Sequence, residues 1–240
     1  MRDAKARLAV ALDLPDRAAL LAMVRRLAPE AGVLKLGLEA FIAEGPSLVR
    51  EIVASGAGVF LDLKLHDIPN TAGRAAAAAV LTGASIVNCH AAGGVEMMKA
   101  FGDGARAAAA KVGRVAPKLI AVTVLTSLDS AALSAIGLAG SPREAALRLA
   151  VLAKESGLDG VVCSPREIEA IRSACGKDFL LLVPGVRPAG AAPGDQKRVA
   201  TPADAIRAGA DLVVVGRPIT GAQDPAAAAR AIVAEIAAAI

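Results

Sequence analysis

A repeated glycine-to-strand pattern constrains the fold more than any other feature of this sequence. A glycine that ends a helix, followed two or three residues later by an apolar strand, is typical of a β–α unit. The copies lie 27, 74 and 52 residues apart, near one, three and two multiples of a unit of about 25 residues. The four copies are Gly56-Ala57-Gly58-Val59-Phe60, Gly83-Ala84-Ser85-Ile86-Val87, Gly157-Leu158-Asp159-Gly160-Val161 and Gly209-Ala210-Asp211-Leu212-Val213.

The pattern predicts eight strand–helix units in 240 residues. Alternating strands and helices favour a parallel sheet, and eight units at this length are typical of a (β/α)₈ barrel. We therefore predict one barrel domain over residues 1–240, with a doubly wound open sheet as the alternative. No Gly-x-Gly-x-x-Gly follows the first strand, which counts against a dinucleotide-binding sheet. Expected strands include 8–12, 33–38, 118–124 and 179–183, and expected helices include 16–27, 46–54, 71–81, 95–109 and 225–238.

Composition excludes several classes of function. Aromatic residues make up 2% of the chain, which leaves almost no platforms for stacking bases, and the net charge of +4 is scattered. No apolar run approaches the ~20 residues that span a bilayer. The three cysteines lack paired metal-ligand spacing, as expected of reduced thiols in a cytoplasmic protein. Neither nucleic acid nor membrane is predicted as a partner.

The stretch Phe60-Leu-Asp-Leu-Lys-Leu-His-Asp-Ile-Pro-Asn-Thr71 concentrates charge at the end of an apolar strand. Asp62 and Lys64 share one face because strand side chains alternate, and Asp67 lies beyond the strand end. Buried charges persist only when they are paired, because removing each ion from water costs several kcal/mol. The alternatives are a structural ion pair and a functional site.

In a barrel, the C-terminal ends of the strands form the active site, and phosphate is commonly held after strands seven and eight. The sequence places polar residues at these positions. Several have structural explanations too: Lys35 and Arg217 as surface cations, Asp13 as an acid at a helix start, and Thr126 as a cap. The predicted set is Asp13, Lys35, Asp62 and Lys64, with Thr126 and Ser127 after strand five, and Arg187, Gln196, Gly216 and Arg217 as a phosphate site. The irregular segment 184–200 is predicted to be a functional loop.

With these residues assembled, the chain resembles the orotidine 5′-phosphate decarboxylase family of the bacterial type. The resemblance runs through nearly the whole chain, in order. It is also similar to the Mg²⁺-using phosphohexulose synthase and ketogulonate-phosphate decarboxylase branch, although Ile68-Pro69-Asn70-Thr71 and the glutamine-bearing loop favour the former. The motifs are ALD (11–13), VLKLGLE (33–39), FLDLKLHDIPNT (60–71), VTVLTS (122–127), PGVRP (184–188), GDQKR (194–198) and VVGRPIT (214–220).

The resemblance implies decarboxylation to UMP without metal or cofactor, in a homodimer. It implies that Lys35, Asp62 and Lys64 form a charged chain completed by Asp67 of the other subunit, and that Lys64 stabilises and protonates a carbanion. Thr71 would also reach the partner's site. The implied substrate contacts are Asp13 and Lys35 at the ribose, Asp62 near the carboxylate, Ile68, Thr71 and Thr126, and Arg187, Gln196, Gly216 and Arg217 at the phosphate. A noncatalytic phosphosugar-binding barrel remains a rival, because it would also keep the phosphate residues.

Overall fold

The computed structural model describes residues 2–188 and 200–240. Eight parallel strands close into a barrel, and each pairs with its neighbours in sequence order from first to last, with the last pairing the first. The predicted (β/α)₈ barrel is confirmed and the open-sheet alternative is wrong. The strands are β1 Leu8–Ala11, β2 Val33–Leu36, β3 Val59–Leu65, β4 Ile86–His90, β5 Lys118–Val122, β6 Gly160–Val162, β7 Leu180–Val183 and β8 Leu212–Val215.

Helices cover the outside of the barrel. Within the described ranges, no helix combines the length and apolar character needed to cross a bilayer. The helices are α1 Arg2–Ala6, α2 Arg17–Leu27, α3 Leu38–Ala54, α4 Pro69–Val80, α5 Gly94–Lys111, α6 Ser130–Ala135, α7 Pro142–Glu155, α8 Ile168–Cys175, α9 Pro202–Arg207, α10 Arg217–Thr220 and α11 Pro225–Ala237.

The predicted boundary between β2 and the next helix is wrong. The sequence suggested a strand to residue 38 and a helix from Pro46, but α3 already begins at Leu38. Gly45 interrupts α3 with φ 66° and ψ −166°, a conformation that favours glycine. Pro46 then restarts the helix, because a first-turn proline lacks only an N–H that the helix would leave unpaired. A helical segment therefore does begin at Pro46, as predicted, and the part that the sequence did not predict is the helical segment from Leu38 up to Gly45.

The third residue of two repeat copies stabilises the bottom of the barrel. Asp159 accepts a hydrogen bond from the backbone N–H of Leu119 on the preceding strand (2.7 Å), and Asp211 does the same for Leu181 (2.8 Å). Arg172 pairs with Asp211 at 2.6 Å and also donates to backbone carbonyls at the starts of β7 and β8. The repeat therefore encodes the contact between adjacent units as well as the turn.

The core has two layers, one between the sheet and the helices and one inside the barrel. Strand residues alternate between them, since successive side chains point to opposite faces. On β2, β3 and β4, the inner cluster is contacted or formed by Val33, Phe60 and Ile86. Two residues after each of these, on the same face, stand Lys35, Asp62 and Asn88. The interior of the barrel is therefore apolar in its middle and polar near the C-terminal ends of the strands, which we call the C-terminal mouth. The inner cluster consists of Ala9, Ala11, Phe60, Ile86, Ile120, Leu182, Leu212 and Val214.

Helices α4 and α5 approach closely at two glycines. A Cβ atom at Gly104 would lie 2.3 Å from the carbonyl oxygen of Gly73 in α4. A backbone atom cannot swing aside as a flexible side chain can, so this contact requires glycine. Because α4 begins just after β3, the contact also helps to fix the segment that follows the charged strand end.

We expect Gly104→Ala to lower the free energy of unfolding by ~1–3 kcal/mol through overpacking. A Gly-to-Ala change inside a helix normally stabilises by about 1 kcal/mol, so the expected sign is reversed. The matched control is Gly102→Ala in the same helix, where the nearest atom is the flexible end of Arg106, at 2.9 Å. Urea unfolding midpoints of the two variants provide the measurement. Equal or higher stability of Gly104→Ala would show that the helices separate without cost.

Candidate active site

Four charged side chains form a continuous chain at the C-terminal mouth of the barrel. Lys64 Nζ lies 2.8 Å from Asp62 Oδ1, and Lys35 Nζ lies 3.4 Å from Asp62 Oδ2. Lys35 also lies 3.3 Å from Asp13 Oδ1. The chain leads from an Asp13 side chain that is 62% exposed to an Asp62 side chain that is 10% exposed. The structure thus brings together four predicted site residues, with charges alternating in sign.

The backbone of β3 is irregular where these residues lie. Leu61 pairs with Val87 and Leu65 pairs with Cys89, so three residues of β3 stand opposite the single residue Asn88. Two extra residues preserve the alternation of faces, because the side-chain period is two. Asp62 and Lys64 therefore point the same way, as predicted, but through a bulge rather than a regular strand.

Lys64 has φ 51° and, among the described residues other than glycine, is the only one with positive φ. A left-handed conformation at a residue with a Cβ costs about 1–2 kcal/mol. Such strain persists only where the surroundings impose it, and it collects at functional sites. The strained backbone conformation thus indicates a functional role for Lys64 independently of its charge.

Sequence reasoning missed Asn88, which is 1% exposed. Its Nδ2 donates to Asp62 Oδ1 (2.7 Å), and its Oδ1 accepts the backbone N–H of Lys64 (2.8 Å). The available signal was a single amide in the otherwise apolar run Ile86-Val87-Asn88-Cys89. A buried polar side chain in such a run must find partners, but the sequence does not say which.

The surroundings of Asp62 keep its carboxylate ionised. Burial alone raises its pKa, but Lys35 and Lys64 together with hydrogen bonds from Lys64 and Asn88 outweigh it, and the net pKa lies below the ordinary value. An ionised carboxylate inside the barrel requires this complete set of partners. The site therefore presents a fixed negative charge with an ammonium group beside it.

A cavity of about 170 Å³ opens beside Asp62 and Lys64. A cavity of ~150 Å³ holds one benzene ring, so this space suits a single planar ring. Lys35, Asp62 and Lys64 form its charged part, whereas the rest of the lining is mostly apolar and comes from β3, β5, β6 and β8 and from the segments after β5, β6 and β7. The other lining residues are Phe60, Val122, Val124, Leu125, Thr126, Val162, Cys163, Pro184 and Val214.

The predicted phosphate residues follow β7 and β8, which are adjacent strands. Arg187 is 7% exposed, whereas Arg217 is exposed and begins α10 directly after Gly216. A bridge between Val186 and Ala200 joins the two ends of the intervening segment. Gln196 lies outside the described residues, as does most of the predicted loop 184–200.

Asp67, Ile68 and Thr71 lie apart from the charged chain. All three are exposed at the start of α4, and the Asp67 carboxylate accepts the backbone N–H of Ile68 (2.7 Å). Within the described ranges, no ion pair joins Asp67 to Lys35 or Lys64 of the same chain. Ile68 is 66% exposed and is one of several large apolar side chains exposed on the described surface. The structure thus presents these predicted residues on the surface rather than in the cavity.

In the part of the chain that the structure describes, neither histidine belongs to a group of metal-binding side chains. Their rings lie 5.4 Å apart, and burial followed by the nearby His66 and Lys64 lowers the pKa of His90, which Asp62 only partly offsets. A neutral imidazole adds no positive charge beside Lys64 at pH 7. Over residues 2–188 and 200–240, no three His, Cys, Asp or Glu side chains are grouped as metal ligands.

Comparisons with known proteins identify the family. The model described as "Orotidine 5′-phosphate decarboxylase / HUMPS family" matches residues 6–232. Orotidine 5′-phosphate decarboxylase of Anaeromyxobacter sp. (strain K) is 58% identical over 228 residues, covering 95% of this chain and 97% of that protein. The Moorella thermoacetica protein of the same name is 56% identical over 234 residues, covering 97% and 93%. The crystal structure of orotidine 5′-phosphate decarboxylase from Lactobacillus acidophilus matches with a TM-score of 0.86 and 39% identity, covering 95% of this chain and 98% of that one. The chain therefore belongs to the orotidine 5′-phosphate decarboxylase / HUMPS family.

Proposed function

We propose that this protein decarboxylates orotidine 5′-phosphate to UMP and carbon dioxide, the last step of de novo pyrimidine nucleotide biosynthesis. The observation that carries the proposal is the Lys64 ammonium, 2.8 Å from a buried and ionised Asp62 at the edge of a ring-sized cavity. The names of the relatives support the same activity.

In the proposed reaction, the bond between the pyrimidine ring and its carboxylate breaks and the electron pair stays on the ring carbon. Carbon dioxide leaves as a neutral molecule. Lys64 donates a proton to the ring carbon and is reprotonated from solvent. An ammonium ~4 Å from the carbanion contributes about 4 kcal/mol at an effective dielectric constant near 20. This is part of the ~8–23 kcal/mol by which enzymes lower barriers.

Asp62 supports this chemistry in two ways. Its lowered pKa makes it an anion before the substrate binds, so it repels the approaching substrate carboxylate, and this repulsion ends as neutral carbon dioxide forms. It also keeps the ammonium of Lys64 in place. The mostly apolar lining of the rest of the cavity favours the neutral product over the charged carboxylate.

The remaining assignments concern substrate binding. Asp13 and Lys35 hold the ribose, Thr126 meets the pyrimidine, and the residues after β7 and β8 hold the phosphate: Arg187, Gln196, Gly216 and Arg217. Binding energy from a phosphate that does not react can orient the ring and keep water out. A noncatalytic phosphosugar-binding barrel would need these cations too, but it would have no use for a strained Lys64 beside a buried Asp62.

The active unit in this proposal is a homodimer. Asp67 and Thr71 are exposed at the start of α4, and the exposed Ile68 between them offers apolar surface for a second copy. Asp67 of one subunit would complete the charged chain of the other. We further propose a cytoplasmic location, which the three free thiols support.

The proposed activity predicts that the purified protein removes the orotidylate absorbance in the presence of EDTA. Lys64→Ala should have less than a tenth of the wild-type kcat, a loss above about 1.4 kcal/mol, and should stay folded, although its thermal midpoint should fall because Asp62 loses an ion-pair partner. The matched control is Lys118→Ala at the opposite end of the barrel, which should stay active. Activity that EDTA abolishes and Mg²⁺ restores would instead indicate the metal-dependent branch. A tenth or more of kcat in Lys64→Ala would rule out its role as proton donor.

A shared site predicts recovery of activity when two inactive variants exchange subunits. In a hybrid of Lys64→Ala and Asp67→Ala, one of the two sites regains both native residues. An equal mixture should therefore recover about a quarter of wild-type activity, because half of the dimers are hybrids with one intact site each. If exchange is demonstrated by mass and no activity returns, the site lies within one chain.

The phosphate assignment predicts that Arg217→Ala lowers kcat/KM for orotidine 5′-phosphate at least tenfold, since a charge-assisted hydrogen bond contributes roughly 1.5–3 kcal/mol. Turnover of orotidine, which lacks phosphate, should change little. The matched control is Arg230→Ala, another exposed arginine, whose partner is Glu30. Equal losses for both substrates would make Arg217 a structural residue.

A further inference from the structure

We propose that Asn88 is a positioning residue that holds Asp62 and Lys64 in their reactive arrangement by bridging the bulge in β3. The inference rests on the proposed decarboxylation and assigns a role to a residue that does not line the cavity.

The bulge leaves a gap in the backbone pairing that Asn88 fills. Regular pairing holds Leu61 to Val87 on one side and Leu65 to Cys89 on the other. Between these pairs, the Lys64 N–H donates to the side-chain Oδ1 of Asn88 at 2.8 Å instead of to a backbone carbonyl. A side chain thus takes the place of the missing backbone acceptor at the residue with φ 51°.

The hydrogen-bonding partners fix the orientation of the amide. A backbone N–H can only donate, so it selects the oxygen of Asn88 and turns the NH₂ group towards Asp62. Asp62 Oδ1 then receives Asn88 Nδ2 at 2.7 Å and Lys64 Nζ at 2.8 Å. One planar group therefore sets the carboxylate and the backbone of the lysine relative to each other.

Other residues replace Asn88 poorly. An aliphatic side chain would leave the Lys64 N–H without this acceptor in a partly buried place and remove a donor from Asp62. An aspartate would keep the acceptor but put a second carboxylate against the first, and two adjacent carboxylates retain one shared proton to a higher pH. Protonation of the introduced carboxyl would restore a donor towards Asp62.

The experiment compares Asn88→Leu and Asn88→Asp with wild type in the orotidylate assay. Asn88→Leu should lower kcat at least tenfold while KM stays within about twofold, because Asn88 lies outside the cavity. For Asn88→Asp, the ratio of its kcat to that of wild type should rise at least threefold as the pH falls from 8 to 5, because the introduced carboxyl gains its proton. A residue that only fills space would not produce this pH dependence.

Thr82→Val is the matched control for stability, since Thr82 is also buried and donates one hydrogen bond, to the carbonyl of Ala79, far from the site. It should keep wild-type kcat. If both Asn88 variants keep kcat within twofold of wild type, or if Asn88→Asp shows a flat ratio across the pH range, Asn88 does not position the pair. If Asn88→Leu does not fold, the pH ratio of Asn88→Asp decides alone. A wild-type protein without decarboxylase activity would overturn the proposed function instead, whatever the variants do.

Discussion

An ionised carboxylate inside a barrel depends on its partners, and the Asp62 carboxylate is the interaction on which this site rests. Two lysines and one amide surround it, and together they hold its pKa low despite burial. Removing one partner of a buried ion pair typically costs ~3–5 kcal/mol, because the remaining charge is left uncompensated. The pair therefore cannot be separated into a residue for chemistry and a residue for stability, since each keeps the other charged and in place.

The closed sheet lets this arrangement survive. The bulge in β3 lies between two regular pairs with β4, so the strain at Lys64 is confined to three residues and cannot relax along the strand. A cost of about 1–3 kcal/mol at one residue is small beside the burial of eight strands against their helices. The regularly paired strands of the barrel thus form a rigid support. This support holds Lys64, at the C-terminal end of β3, in a left-handed conformation that it would not otherwise adopt.

Sequence reasoning recovered the parts of the structure that depend on short-range patterns. The glycine-to-strand repeat predicted eight units because a helix end and the next strand are encoded within about five residues. Face sharing by Asp62 and Lys64 followed from strand alternation and is confirmed by their contact. The bulge and the role of Asn88 could not be predicted, because they depend on the register between β3 and β4, whose residues are 24 to 26 positions apart. The helical segment before Gly45 was not predicted, because the Gly45-Pro46 pair, which does separate two helical segments, is the stronger helix-start signal in the sequence.

The occupancy of the Asp62 oxygens also bears on how this chain differs from the metal-dependent branch that it resembles. Oδ1 receives Lys64 and Asn88, and Oδ2 faces Lys35 at 3.4 Å. A divalent cation at this carboxylate would have to displace or repel two ammonium groups held beside it. Hard cations prefer several oxygen ligands, whereas the other walls of the cavity are mainly apolar. Lys64 supplies positive charge beside the proposed carbanion and can also transfer a proton. The Asp62 carboxylate therefore holds an ammonium group at the place where it could otherwise bind a metal ion. The two ammonium groups beside Asp62 are therefore the reason that the proposed reaction assigns the positive charge next to the carbanion to Lys64.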